Sequence, residues 1–356
     1  MPPFPTPPRL TAVDDDCSAA TACRLARAGT ALLWRGTFPQ ARRLLAAMGR
    51  RLDRRAPHPV DDPAEAFRAH RRARRDRARV LGQVLVAVDG EYRLDVRGAP
   101  DVREACRQAY GPATGPGVLA LQELLGVMGA HQWRERGVPV PALGARIHPH
   151  YGVFSPTRSE YVDLVAQASL PALTRTAFDL GTGTGVLAAV LARRGIARVT
   201  ATDRNPRALA CARDNTTRLG RTARIDVRGP GLYPDGRADL VVCNPPWLPA
   251  HPVSDLEQGV YDPGSRMLRA FLTALTAHLE PGGEGWLVLS DLAERLGLRT
   301  RAELLDLVGA AGLRVVGRMD TTPRHPKAAA REDPLHAARA GEVTSLWRLQ
   351  ARPLVR

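Results

Sequence analysis

Lysine is almost absent. Lys327 is the only one in a chain of 356 residues that carries 51 basic and 36 acidic side chains, for a formal net charge of +15. A G-x-x-x-x-G-K-[ST] phosphate loop is therefore excluded, because no lysine follows any glycine-rich turn. Cysteine is scarce as well. Cys17, Cys23, Cys106, Cys211 and Cys243 are odd in number and form no C-x-x-C pair, which points away from a disulfide framework or a structural zinc. No metal site is expected. There is no run of 18 apolar residues, so no membrane span is expected, and the start Met1-Pro2-Pro3-Phe4-Pro5 does not read as a signal peptide. A cytoplasmic protein with no membrane partner is the simple reading.

What is present is globular. A hydrophobic content of 44% suffices for a core, and the length suggests two domains. The basic residues are arginine apart from Lys327, alongside abundant Ala, Pro and Gly. That bias reads as GC-rich compositional drift spread over many surfaces. The net charge leaves a nucleic-acid or ribosome-associated partner open, since charge informs on partners and not on fold.

The stretch from Ala177 to Trp247 organises the chain. Ala177-Phe178-Asp179-Leu180 reads as an apolar strand, Gly181-Thr182-Gly183-Thr184-Gly185 as a glycine turn, and the following Val186, Leu187, Val190 and Leu191 as a helix. In an open α/β sheet such a turn lies at the carboxyl edge of the first strand, where nucleotide-like cofactors bind. The dinucleotide fingerprint G-x-G-x-x-G is not met. A second strand ends in Asp203, twenty-two positions after Gly181, which suits a carboxylate holding both hydroxyls of a ribose. A further strand, Ala238–Cys243, runs straight into Asn244-Pro245-Pro246-Trp247. Consecutive prolines fix a rigid extended turn and end the ladder. The Asn244 carboxamide oxygen and the Pro245 carbonyl can each accept one N–H of a planar nitrogen. Both bonds localise its lone pair and strengthen as positive charge grows there. Trp247 offers a face for stacking.

Glycine turn, strand-end aspartate and N-P-P-W in this order resemble class I S-adenosylmethionine-dependent methyltransferases of the N-P-P-[YFW] type. The resemblance covers about residues 150 to 320. It implies a seven-stranded Rossmann-like α/β sheet with S-adenosyl-L-methionine as cofactor. Asp179, Gly181, Thr182, Gly183, Thr184, Gly185, Asp203, Asn205 and Asn244 would bind that cofactor, and Asn244, Pro245, Pro246 and Trp247 would be catalytic. The segment Gly152–Val162 is similar in part to G-V-L-I-P-R-P-E-T-E-x-L-V of the release-factor glutamine N5-methyltransferases. That similarity places Phe154, Pro156 and Thr157 near the cofactor, with Phe154, Pro156, Asn244 and Trp247 as substrate-binding residues. A helix cap at Ser155 or Thr157 is the rival reading of this segment. Asp203-Arg204-Asn205-Pro206-Arg207-Ala208-Leu209 and the later Asn215 also resemble that family. The chain departs from it at Gly231, where an aspartate is usual for adenine, and at Ser290, where a glutamate is usual.

Three functions stay open: methylation of a protein glutamine amide, methylation of an exocyclic amine in rRNA or DNA, and a non-catalytic cofactor-binding module. The partner is thus a protein or nucleic-acid acceptor, with a link to translation implied by the resemblance. The expected domains are residues 1–145 and 146–356. The first reads as a loose leader to about residue 16, then as mainly helical from Ser18 to Met48 and through the basic run Ala64–Arg79. A β-hairpin turned at Asp89-Gly90 follows. In the second, the loop Leu248–Pro263 carries His251, Asp255 and Glu257, and the connection Asp320–Gly341 carries His325, Lys327 and His336.

Overall fold

The computed structural model describes residues 7, 9–54, 60–254, 256–323 and 335–353, so Asp255, His325 and Lys327 lie outside the described residues. The chain forms two compact units, residues 1–135 and 136–356.

The first unit contains β1 (Leu10–Val13), α1 (Ala19–Arg27), β2 (Ala31–Trp34), α2 (Phe38–Asp53), α3 (Pro63–Leu81), β3 (Val84–Val88), α4 (Arg103–Tyr110), β4 (Gly117–Ala120) and α5 (Leu121–Arg136). The expected helical character holds in its five helices, but a four-stranded sheet in the order β1-β2-β3-β4 was not foreseen. Its hidden member is β2. All four of its residues are buried, so the run shows no alternation and cannot be told from a helical segment by periodicity. Leu10–Val13, expected to belong to a loose leader, pairs in parallel with β2. The chain does turn at Asp89, whose carboxylate accepts the Glu91 and Arg93 N–H groups, but only the single bridge Val88↔Leu94 closes a hairpin there. The ladders of β3 go to β2 and β4 instead.

The second unit opens with the small pair β5 (Val138–Val140) and β6 (Ala145–Ile147), then α6 (Glu160–Gln167). Next come β7 (Thr176–Leu180), α7 (Val186–Arg193), β8 (Arg198–Thr202), α8 (Pro206–Arg218), β9 (Ile225–Arg228) and β10 (Ala238–Cys243). The rest is α9 (Arg266–Leu275), β11 (Leu279–Ser290), α10 (Leu292–Arg295), α11 (Arg301–Ala310), β12 (Leu313–Thr321), α12 (His336–Ala340) and β13 (Thr344–Ala351). The seven strands β7–β13 form one sheet in the order β12-β13-β11-β10-β7-β8-β9, in which only β13 is antiparallel to its neighbours. The order reverses between β7 and β10, which makes their carboxyl ends the switch point where ligands bind in open α/β sheets. Parallel strands covered on both faces are apolar throughout. Leu240, Val241, Val242 and Cys243 are each fully buried, and apolar clusters lie on either face of the sheet.

At the opposite edge, Asp239 Oδ2 accepts the Arg175 N–H (2.9 Å), the Thr176 N–H (2.8 Å) and the Thr176 hydroxyl (2.8 Å). This fixes the start of β7 against β10. Burial raises the Asp239 carboxyl, but these donors outweigh it and hold it below the ordinary carboxylate range. Asp239→Ala strands those donors and is expected to cost about 1–3 kcal/mol in urea unfolding at neutral pH. A folded-state value below the unfolded one makes the contribution present at neutral pH and lost in acid. The gap between variant and wild type should therefore narrow as the pH is lowered.

Candidate active site

Three loops leave the carboxyl edge at the switch point: one after β7, one after β8 and one after β10. Gly181, Gly183 and Gly185 in the first have φ of 69°, 56° and 80°, a region open to glycine and costly for other residues. Space adds a second constraint at two of them. The Met267 methyl occupies the position of a Cβ on Gly181, and a Cβ on Gly185 would stand 3.3 Å from Ala212 Cα. Above Gly183 nothing lies within 4 Å, so the backbone there faces open space.

The turn is held from below and from the side. Asp179 Oδ2 accepts the Thr182 hydroxyl (2.6 Å) and the Ala188 N–H (3.0 Å), tying the end of β7 to the first turn of α7. Asp179 is 1% exposed, and Thr182 and Thr184 are buried with it, so their side chains shape the turn from inside. The Thr182 N–H donates to the Thr202 carbonyl (2.8 Å). Asp203 then reaches back from the tip of β8, where Oδ2 accepts the Gly183 N–H (3.0 Å) and Oδ1 the Asn205 N–H (2.8 Å). Asn205 Oδ1 caps α8 through the Arg207 N–H. Asn215, fully buried, accepts the His148 N–H and donates to the His148 and Thr184 carbonyls, so it struts the lead-in segment against the glycine turn.

These features fit S-adenosylmethionine. A carboxylate offers about four acceptor sites; the Gly183 and Asn205 N–H groups take one on each oxygen of Asp203, and with the Arg204 N–H also drawn to it the carboxylate keeps acceptor capacity for a ribose hydroxyl. The open backbone at Gly183 gives room beside it. Gly231 brings no side chain to the position where the resembled family has its aspartate. The Gly231 N–H donates to the Asp203 carbonyl and the Leu232 carbonyl accepts the Thr202 hydroxyl.

After β10 the N-P-P-W turn places Asn244 and Trp247 on a cavity of about 290 Å3, together with Phe154, Thr157, Arg158 and Tyr261. Pro156 and Pro245 are buried and Pro246 half-buried, none of them lining that cavity. The Trp247 indole N–H donates to Asn244 Oδ1 (2.9 Å), so the two predicted residues are one hydrogen-bonded pair. Phe154 packs onto the loop after β10, where a Cβ on Gly259 would stand 2.6 Å from Phe154 Cβ. Glu257 Oε2 accepts the Val253 N–H within that loop. Neither Ser155 nor Thr157 caps a helix, since α6 begins at Glu160 with no side-chain cap.

Sequence reasoning missed a charged cluster on the same cavity. Arg158 Nε donates to Glu160 Oε1 (2.8 Å) and its Nη2 to Glu342 Oε1 (3.1 Å), both carboxylates being 2% exposed. Ser290 Oγ also donates to Glu342 Oε1 (2.6 Å). A carboxylate thus does sit at the end of β11, supplied by Glu342 from the approach to β13. Arg158 could have been flagged as a departure from the family segment. Glu342, 184 positions from Arg158, had no local signal.

Burial pushes the Asp179 carboxyl up to about 6, against the pull of the Thr182 and Ala188 hydrogen bonds. Burial also raises Asp203, offset in part by the Asn205, Gly183 and Arg204 N–H groups. A folded-state value above the unfolded one means that Asp179 supports the fold most in acid. That support is lost as pH rises from about 4 to about 6, on the order of 3 kcal/mol. Asp179→Asn should flatten this part of the stability curve, measured by urea unfolding between those pH values.

Residues 144–301 match the methyltransferase small domain family. The release factor glutamine methyltransferase of Cereibacter sphaeroides is 34% identical over 173 residues, 44% of this chain and 60% of that protein. The enzyme of the same name from Mycolicibacterium smegmatis is 38% identical over 150 residues, 37% of this chain and 52% of that protein. A ribosomal protein L11 methyltransferase of Vibrio cholerae is 35% identical over 94 residues, 26% of this chain and 32% of that protein. The match thus spans between half and two thirds of the length of these two release-factor enzymes. Residues 144–301 are thus similar to the methyltransferase small domain family, and the strand order, the glycine turn and the N-P-P-W edge agree with the class I S-adenosylmethionine-dependent methyltransferase sheet that the sequence resembles.

Proposed function

We propose that this chain transfers a methyl group from S-adenosylmethionine to a planar nitrogen, the side-chain amide of a protein glutamine. The observation that carries the reading is the Asn244–Trp247 pair on its cavity, one loop away from the glycine turn and Asp203. The cofactor supplies an electrophilic methyl on a sulfonium. The chain's residues supply position and polarity. The indole N–H occupies one acceptor direction of Asn244 Oδ1 and so fixes the other. That remaining lone pair and the Pro245 carbonyl can each take an N–H of the acceptor. Both bonds favour a nitrogen whose lone pair is localised, and they strengthen as it becomes positive. No base is needed before transfer, because the nitrogen loses its extra proton only after the new bond forms. The named relatives support a protein acceptor connected with translation, since their names specify release factors and ribosomal protein L11.

Methyl transfer from radiolabelled cofactor into a cell lysate tests the reading. Label removed by protease and retained under nuclease is expected. Label removed by nuclease would replace the glutamine with a base amine. Asn244→Ala should cut incorporation by about a hundredfold or more, with cofactor affinity unchanged by calorimetry. Asp203→Ala should do the reverse, weakening cofactor binding by about tenfold or more.

A further inference from the structure

Arg158 lies against the ring of Trp247, its guanidinium carbon 5.1 Å from the ring centroid. A cation at that distance is held by the ring's electron density, and more firmly where water is excluded. The guanidinium cannot swing away, because Glu160 and Glu342 fork it from two elements and Ser290 fixes Glu342 in turn. On its other side Trp247 holds Asn244 Oδ1 through the indole N–H. The contacts form one chain: Ser290, Glu342, Arg158, Trp247, Asn244. Every member lies on the second unit, and all of its links but the cation–ring contact are hydrogen bonds of 2.6–3.1 Å. Burying two carboxylates around one guanidinium is costly unless geometry is fixed. The cluster sits where fixed geometry serves the acceptor nitrogen.

We propose that Arg158, braced by Glu160 and Glu342, is a positioning residue that sets the Trp247 ring and through it the acceptor oxygen of Asn244. Glu342, which accepts the Ser290 hydroxyl, brings a carboxylate to the end of the strand where the resembled family has a glutamate at position 290. The proposal rests on the reading above for the role of Asn244 and for the identity of the acceptor. Arg158 itself touches neither reacting atom in this scheme. A flexible ring would leave the Asn244 oxygen free to rotate, and misorientation of such a group lowers turnover more than binding.

The test uses the full chain labelled with 5-fluorotryptophan, which gives one fluorine signal for each of its 5 tryptophans. The Trp247 signal is assigned by its loss in Trp247→Phe. In Arg158→Met and in Glu342→Gln it should shift or split. The signals of Trp286 and Trp347, which face other arginines, should stay in place. Arg158→Lys should restore the Trp247 signal in part. Methyl incorporation at saturating cofactor should fall by about tenfold or more in the first two variants, with cofactor Kd within about twofold. An unmoved Trp247 signal in both variants overturns the proposal, and so does a moved signal with undiminished methyl transfer. If the wild-type chain labels no acceptor at all, the proposed function fails, and the fluorine signals still decide whether Arg158 sets the ring.

Discussion

The second unit depends on one buried carboxylate. Asp179 has no access to solvent worth the name, yet it receives the Thr182 hydroxyl and the Ala188 N–H, and so joins the last residue pair of β7 to the first turn of α7 across three left-handed glycines. Without that tie, a turn made largely of glycine would have the most conformational freedom to lose and the least to hold it. With it, the backbone at Gly183 is presented to open space and the Gly183 N–H is delivered to Asp203. The cofactor side is therefore built from inside outward. One acid organises the turn, and a second acid on the neighbouring strand reads it.

The acceptor side is built differently. Asn244 and Trp247 follow directly from a buried strand, and side chains from the lead-in to α6 and from the approach to β13 are gathered against the Trp247 ring. Trp247 packs against the apolar clusters on both faces of the sheet while one edge meets the cavity. The same ring thus closes the core and lines the cavity.

Much of this was legible in the residues. Strand, glycine turn and helix succeed one another with little intervening sequence, and each has its own local rule, so Ala177–Val190 declares itself. Asp203 and N-P-P-W are readable because strand ends are marked by abrupt changes in character. Elsewhere the signals are non-local. Ala31–Trp34 is apolar on every position and looks alike as strand or helix, so the sheet of the first unit was missed. Glu342 carries no pattern of its own. Its place beside Arg158 exists only because β13 inserts between β11 and β12, an arrangement that no window of sequence displays. Asn215 stands out in the sequence by resemblance alone, whereas its place as a strut between His148 and Thr184 joins segments far apart in the chain.

The antiparallel course of β13 has one more consequence. Every other strand of the sheet brings its end to the ligand-bearing edge, whereas β13 brings its beginning. The connection from β12 to β13 therefore starts and finishes beside the cavity, with Pro323 and Arg339 both on its wall. Its length is not set by any strand register. Insertions, deletions or grafted segments there can remodel the acceptor pocket while β7, β8 and their carboxylates keep their geometry. Choice of acceptor and hold on the cofactor can accordingly evolve, or be engineered, as separate traits.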